Sequence, residues 1–164
     1  RGLGDVYKRQ GEHFKGQFCL SGACYPETHQ EADGFKKDLE ALKKKVDAGA
    51  EYLVTQIFFD NDYYYRLVRE ARKIGITVPI LAGIMPITSA KMINTTINLS
   101  GASIPKALSD LIATYGENPS DMRKAGIEYA ARQINDLAEQ GMHYVHIYTM
   151  NHSETAKEIC GLIK

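Results

Sequence analysis

A chain of 164 residues can bury one real hydrophobic core but not two comfortable ones. Its 20 basic and 20 acidic residues balance, so it sets up no field for nucleic acid or an anionic membrane. No apolar run reaches the ~18 residues of a membrane-spanning helix and no signal peptide is visible. Three cysteines, Cys19, Cys24 and Cys160, lack Cys-x-x-Cys spacing and read as reduced thiols of a cytoplasmic protein.

Residues 1–10 carry no apolar period and look like a non-native scar or disordered lead, so the fold is sought in residues 11–164. Gln17 to Tyr25 reads as a first strand of small and apolar residues, closed by Pro26 and a polar loop. Phe35, Leu39, Leu42 and Val46 then recur at helical spacing, with Gly49 at the C-cap. Asp38, Ala41 and Lys45 share a face beside that apolar stripe. The lysines at 43–45 suit the negative end of the helix dipole without any functional role.

Tyr52 to Phe59 is the strongest strand signal. Seven of its eight residues are β-branched, aromatic or Leu. Leu53, Ile57 and Phe59 fall on one parity and Tyr52, Val54 and Phe58 on the other, the pattern of a strand covered on both sides. Gln56 interrupts it. A primary amide there is either a core group satisfied by neighbouring backbone or a recognition group placed on the strand's inward face.

Asn61 is a candidate N-cap for a helix carrying Tyr64, Leu67, Val68, Ala71 and Ile74, stopped at Gly75. Val78 to Met85 forms a third strand, closed by Pro86. Thr88 or Ser89 caps a short helix through Ile93 and Ile97 to Gly101. Ile104-Pro105 opens another, with Leu108, Leu111, Ile112 and Tyr115, stopped at Gly116. The longest helix runs from about Pro119 to Gln140, with Pro119 in its first turn and Gly141 at its end. Tyr144 to Met150 is the fourth strand, and Asn151 and Ser153 start a final helix to about Ile163.

Strand and helix thus alternate four times, which calls for parallel strands joined by right-handed crossovers. Either an open doubly wound sheet or half of an eight-stranded barrel fits. No G-x-G-x-x-G fingerprint follows any strand, which weakens the dinucleotide-binding version of the open sheet. Polar residues gather at strand C-terminal ends, where such folds do chemistry: Tyr25, Glu27 and His29; Gln56 and Asp60; Tyr148, Thr149 and Asn151.

Several motifs then occur in order. Tyr25-Pro26-Glu27-x-His29-x-x-Ala32 is followed by Asp38 and by Lys44-Lys45-Val46-Asp47-Ala48-Gly49-Ala50. Next come Thr55-Gln56-x-Phe58-Phe59-Asp60, Gly83-Ile84-Met85-Pro86-Ile87, Ile104-Pro105 and His146-x-Tyr148-Thr149-x-Asn151. In this order and spacing the chain resembles methylenetetrahydrofolate reductases of the bacterial type from about Ala23 onward. The resemblance implies a TIM (β/α)8 barrel of which these are the last four βα units, that is, the C-terminal half of a longer reductase. It implies FAD as cofactor and hydride transfer from NADH or NADPH to 5,10-methylenetetrahydrofolate, giving 5-methyltetrahydrofolate. The complete protein is expected to be a homo-oligomer.

Carried over by position, Tyr25, His29, Ala32, Asp38, Lys44 and Lys45 fall where the family contacts FAD. Gln56 falls on its substrate-binding glutamine, and His152 stands where relatives have an Arg that contacts folate. Ala41, Lys44 and Met92 replace a frequent Asn, Arg and Gln. No catalytic acid is assigned within this chain, because the family's acid lies on its first strand. Zinc at Cys24, Glu27 and His29 is disfavoured, since no second cluster of matching spacing exists. A different barrel enzyme acting on a phosphorylated substrate would need a phosphate loop that is absent. The rival reading is a non-catalytic barrel fragment or partner-binding subunit, whose unpaired sheet edges invite association.

Overall fold

Four short strands carry the fold: β1 (Ser21–Cys24), β2 (Tyr52–Thr55), β3 (Ile80–Ile84) and β4 (Val145–Ile147). They come from a computed structural model that describes residues 18–164, so the lead 1–10 and the start of the first predicted strand at Gln17 lie outside the described residues. Among the described residues six helices follow them in turn, three of them after β3: α1 (Phe35–Asp47), α2 (Asn61–Lys73), α3 (Ala90–Ser100), α4 (Lys106–Tyr115), α5 (Pro119–Glu139) and α6 (Ser153–Cys160). The strand order is β1-β2-β3-β4, with β1–β2 and β2–β3 parallel. A doubly wound sheet must reverse its order at a switch point. Consecutive order without reversal is that of a barrel wall, and the chain is an α/β protein built as four successive βα units.

By contact density the chain divides into two compact units. One holds the described residues up to Gln56 with Asp62–Ala82, and the other holds Ile57–Asn61 with Gly83–Lys164. In the first, α1 and α2 cover one side of β1 and β2. Their stripes Leu39 and Leu42, and Tyr64, Leu67, Val68 and Ala71, are all buried, as helical spacing requires. Leu53 and Thr55 are fully buried, and burial of the Leu53 side chain contributes roughly 1.5–3 kcal/mol. The Tyr64 hydroxyl, at the same depth, donates to Ile80 O at 2.7 Å.

The opposite parity behaves differently. Ser21 and Ala23 are exposed, while Tyr52, Val54 and Leu81 are only half-buried. Ala23, Val54 and Leu81 lie in one row by register. The expected two-sided covering of β2 is therefore corrected: one face is packed and the other lies open.

In the second unit a cluster of Phe59, Ile87, Ala102, Leu108 and Met122 is buried, with Ile57, Ile93 and Tyr129 packed against it. Gly126 lets α5 press on the chain just after β3. A Cβ built there would lie 1.9 Å from Ile87 O.

All four strands are shorter than expected. β2 ends at Thr55, so Gln56 is the first residue after the strand, not a mid-strand residue, and Phe58 leaves the open face to become fully buried. The apolar run continues because the segment after the strand is also core, which periodicity cannot separate from strand. Ile74 and Tyr115, assigned to buried helix faces, are exposed at the ends of their elements. Asn61 begins α2, but its amide Nδ2 donates to Gln133 O at 3.0 Å and Asp136 Oδ2 at 2.6 Å instead. The cap that sequence reading missed is Asn118, whose side chain accepts from Ser120 N and Asp121 N at the start of α5.

Candidate active site

The segment that follows β1 is tied down at several points, all within the first unit. His29 N donates to Asp38 Oδ2 at 2.8 Å, joining the loop to the first turn of α1. Ala32 N donates to His29 O at 2.9 Å, and Glu31 N donates to His29 Nδ1 at 3.1 Å. An Nδ1 that accepts places the proton of a neutral imidazole on Nε2. The Tyr25 and His29 rings meet edge-on, 4.5 Å between centroids. Arg66 of α2 donates from Nη2 to Pro26 O at 3.3 Å, its guanidinium 4.3 Å from the Phe35 ring centroid. These ties hold Thr28 at φ 119°, a backbone conformation that costs a non-glycine residue about 1–3 kcal/mol and is enriched at functional loops.

Tyr25, Asp38 and Lys45 line one small cavity with Cys24, Phe35 and Leu42. Lys45 Nζ donates to Ala23 O at 2.8 Å. Lys44, one residue earlier, is exposed, because neighbouring helix positions point about 100° apart. The structure thus brings Tyr25, His29, Ala32, Asp38 and Lys45 together at the C-terminal end of β1, and leaves Lys44 on the outer side of α1. Cys24 at the cavity wall is 2% exposed. Burial pushes its thiol up to about 12, with Lys45 lowering it and Asp38 raising it to smaller extents.

Gln56 sits beside this loop. Its backbone N donates to Cys24 O at 2.7 Å, so the ends of β1 and β2 are hydrogen-bonded where the loop begins. Gln56 is half-buried. Among the described residues nothing hydrogen-bonds its amide group. A half-buried amide in that position keeps its two donors and its acceptor for a ligand or water.

His152 belongs to the second unit. It immediately precedes α6 and follows Met150 and Asn151, which hold consecutive positive φ angles of 50° and 68°. It lines a cleft of about 330 Å³ with Thr88, Arg123, Asn151, Ser153, Glu154 and Thr155. Arg123 of α5 donates to Glu158 Oε2 at 2.5 Å and Thr155 Oγ1 at 3.3 Å. Sequence reading singled out neither Arg123 nor Arg66. Both are remote in sequence from the loops they reach, and no local pattern marks them. Among the described residues no trio of His, Cys, Asp or Glu is gathered for a metal, Cys24, Glu27 and His29 included. No helix there is long and apolar enough to cross a membrane.

Parallel strands in consecutive order, with polar and strained loops at their C-terminal ends, are the mark of a βα-barrel type of domain. The family model for methylenetetrahydrofolate reductase matches residues 6–164, and the chain belongs to that family. A methylenetetrahydrofolate reductase of Schizosaccharomyces pombe is 32% identical over 94% of this chain and 26% of its own length. A probable NADPH-type reductase of Caenorhabditis elegans is 36% identical over 94% of the chain and 24% of its own length. The Escherichia coli 5,10-methylenetetrahydrofolate reductase is 33% identical over 87% of the chain and 48% of its own length. The chain therefore spans about half of the bacterial relative and about a quarter of the eukaryotic ones.

An uncharacterised Clostridium thermocellum protein that binds two copies of 5-methyl-5,6,7,8-tetrahydrofolic acid has a similar structure. Its TM-score is 0.68 over 99% of this chain and 57% of its own, at 17% identity, a likeness of fold alone.

Proposed function

We propose that this chain forms the C-terminal half of a FAD-dependent reductase. Its reaction would be hydride transfer from NAD(P)H to 5,10-methylenetetrahydrofolate, giving 5-methyltetrahydrofolate for one-carbon metabolism and methionine synthesis. The observation that carries the reading is Gln56: a half-buried amide beside the β1 loop, without a partner among the described residues. Its backbone is fixed to Cys24 while its side chain can both donate and accept, so it can serve a carboxamide and a pterin edge in turn.

The donor set around it fits a flavin dinucleotide. Tyr25, His29 and Ala32 would frame it, Asp38 would accept from ribityl hydroxyls, and Lys45 would face the pyrophosphate, while Lys44, on the outer side of α1, would not. Bound there, FAD supplies a two-electron carrier that lets the two substrates use one face alternately. The chain's own part is binding and orientation: the Asp38–His29 tie keeps the loop closed, and Gln56 aligns each substrate. His152, beside Arg123 in its cleft, would contact the folate tail. The enzyme would be a cytoplasmic homo-oligomer.

Gln56→Leu in the full-length gene product tests this. Flavin content and melting temperature should hold, because volume is roughly conserved and no partner is orphaned. Stopped-flow reduction by NAD(P)H and reoxidation by methylenetetrahydrofolate should each slow about tenfold or more, the loss of one hydrogen bond worth ~1.4 kcal/mol in the transition state. Unchanged rates in both half-reactions refute the assignment. The open face of β1 and β2 favours one second reading, a partner-binding subunit without activity. The upstream gene sequence separates the two, since only a reductase needs a strand bearing the acid Glu.

A further inference from the structure

Arg66 lies outside the buried stripe of α2, yet its side chain reaches the loop after β1, and both belong to the first unit. Its Nη2 donates at 3.3 Å to the carbonyl of Pro26, a buried residue where the loop begins. Its guanidinium carbon lies over the ring of Phe35, the first residue of α1, 4.3 Å from the centroid, and 5.4 Å from the Tyr63 centroid. Both distances are in the range of a cation–π contact. One cation therefore touches the loop at its start and at its finish.

The placement is costly, because Arg66 Nε is buried and has no hydrogen-bond partner among the described residues. Packing of α2 does not call for it, since Tyr64, Leu67, Val68 and Ala71 already bury that helix. The loop does call for it. Thr28 and Gly34 hold φ angles of 119° and 103°, and no side chain caps α1 at Gly34. Strained backbone of this kind persists only where the surroundings hold it. Phe35 also lines the same small cavity as Tyr25, Asp38 and Lys45.

We propose that Arg66 is a positioning residue for the flavin-binding loop, a clasp that joins its two ends. By holding Pro26 O and the Phe35 ring together, it presents Tyr25, His29, Ala32 and Asp38 as a formed site before the cofactor arrives. A planar guanidinium can lie over a ring and donate from its edge at once, which the point charge of a lysine cannot. The inference rests on the FAD reading argued above, and it gives Arg66 no contact with the cofactor.

Arg66→Lys and Arg66→Met in the full-length gene product test it, by FAD titration of the apoprotein and by its amide hydrogen exchange. Each variant should weaken FAD binding about tenfold or more. Peptides covering residues 27–34 should exchange about tenfold faster without flavin, while those covering β2 and the buried stripe of α2 keep parental rates. Arg66→Lys gives the same readouts should Arg66→Met fold poorly. Parental FAD affinity, or parental exchange in the loop, overturns the clasp and leaves the flavin reading intact. Faster exchange throughout β2 and α2 does the same, since it marks an arginine that merely supports the fold. A parent protein that binds no FAD overturns both.

Discussion

Cys24, Asp38 and Gln56 lie within one loop's reach at the ends of β1 and β2, yet their environments assign them different tasks. Cys24 is a wall, inert because burial lifts its thiol to about 12. Iodoacetamide at pH 8 should label the exposed Cys19 and Cys160 and spare Cys24 until denaturant is added, which intact-mass spectrometry reads directly. Labelling of all three in the native protein would contradict the burial.

Tyr64 is likewise raised to about 12. Both groups hold their protons more tightly folded than unfolded, where their values are 9.0 and 10.0. The stability this gives is therefore fully present below pH ~9 and is lost as pH rises toward ~12. A denaturant midpoint flat to about pH 9 and falling beyond it is the expected profile; one still flat at pH 11 is not.

Asp38 has a structural task beside any cofactor contact. Asp38→Ala leaves His29 N without its acceptor, and should cost about 1–2 kcal/mol of stability even without flavin, visible as a lower urea midpoint.

Among the elements, α5 matters most to the second unit. Its buried stripe from Met122 to Leu137 follows helical spacing, and Asn118 and Pro119 start it. Its tightest point is Gly126, whose missing Cβ makes room for the Ile87 carbonyl. Gly126→Ala would gain helix propensity, under ~1 kcal/mol, and lose more to overpacking, ~1–3 kcal/mol or above. A clash with backbone cannot be relieved by a rotamer, so the melting temperature should fall by several degrees; a rise would show that α5 can back away. The helices were legible because their stripes are long and their stops are glycines: Gly101 takes the left-handed conformation after α3 at φ 68°. Strand ends were not, because apolar residues continue past β2 into packed loop.

For the whole chain, the open sheet face decides behaviour in solution. Tyr52, Val54 and Leu81 are half covered and Ser21 and Ala23 uncovered, so among the described residues an apolar row along the strands lacks an opposing layer. Expressed as these 164 residues alone, the chain should associate or melt without a sharp transition. Light scattering and calorimetry test this, and a monodisperse monomer with a cooperative melt would refute it.

Local patterning determined the alternation of strand and helix, and ordered motifs determined the family, since both are written in residues close along the chain. The same motifs pointed to Tyr25, His29, Asp38 and Lys45, which the fold does gather. Only the tertiary structure decided between the open sheet and the barrel wall, because strand order is set by which edges pair and not by any one strand's sequence. Only it showed Arg66 on Pro26, Arg123 beside His152, and Tyr129 on Phe59, residues brought together across 29 to 70 positions of chain. Hydrogen bonds of that span depend on how helices pack, and packing is a property of the whole core, not of any segment within it.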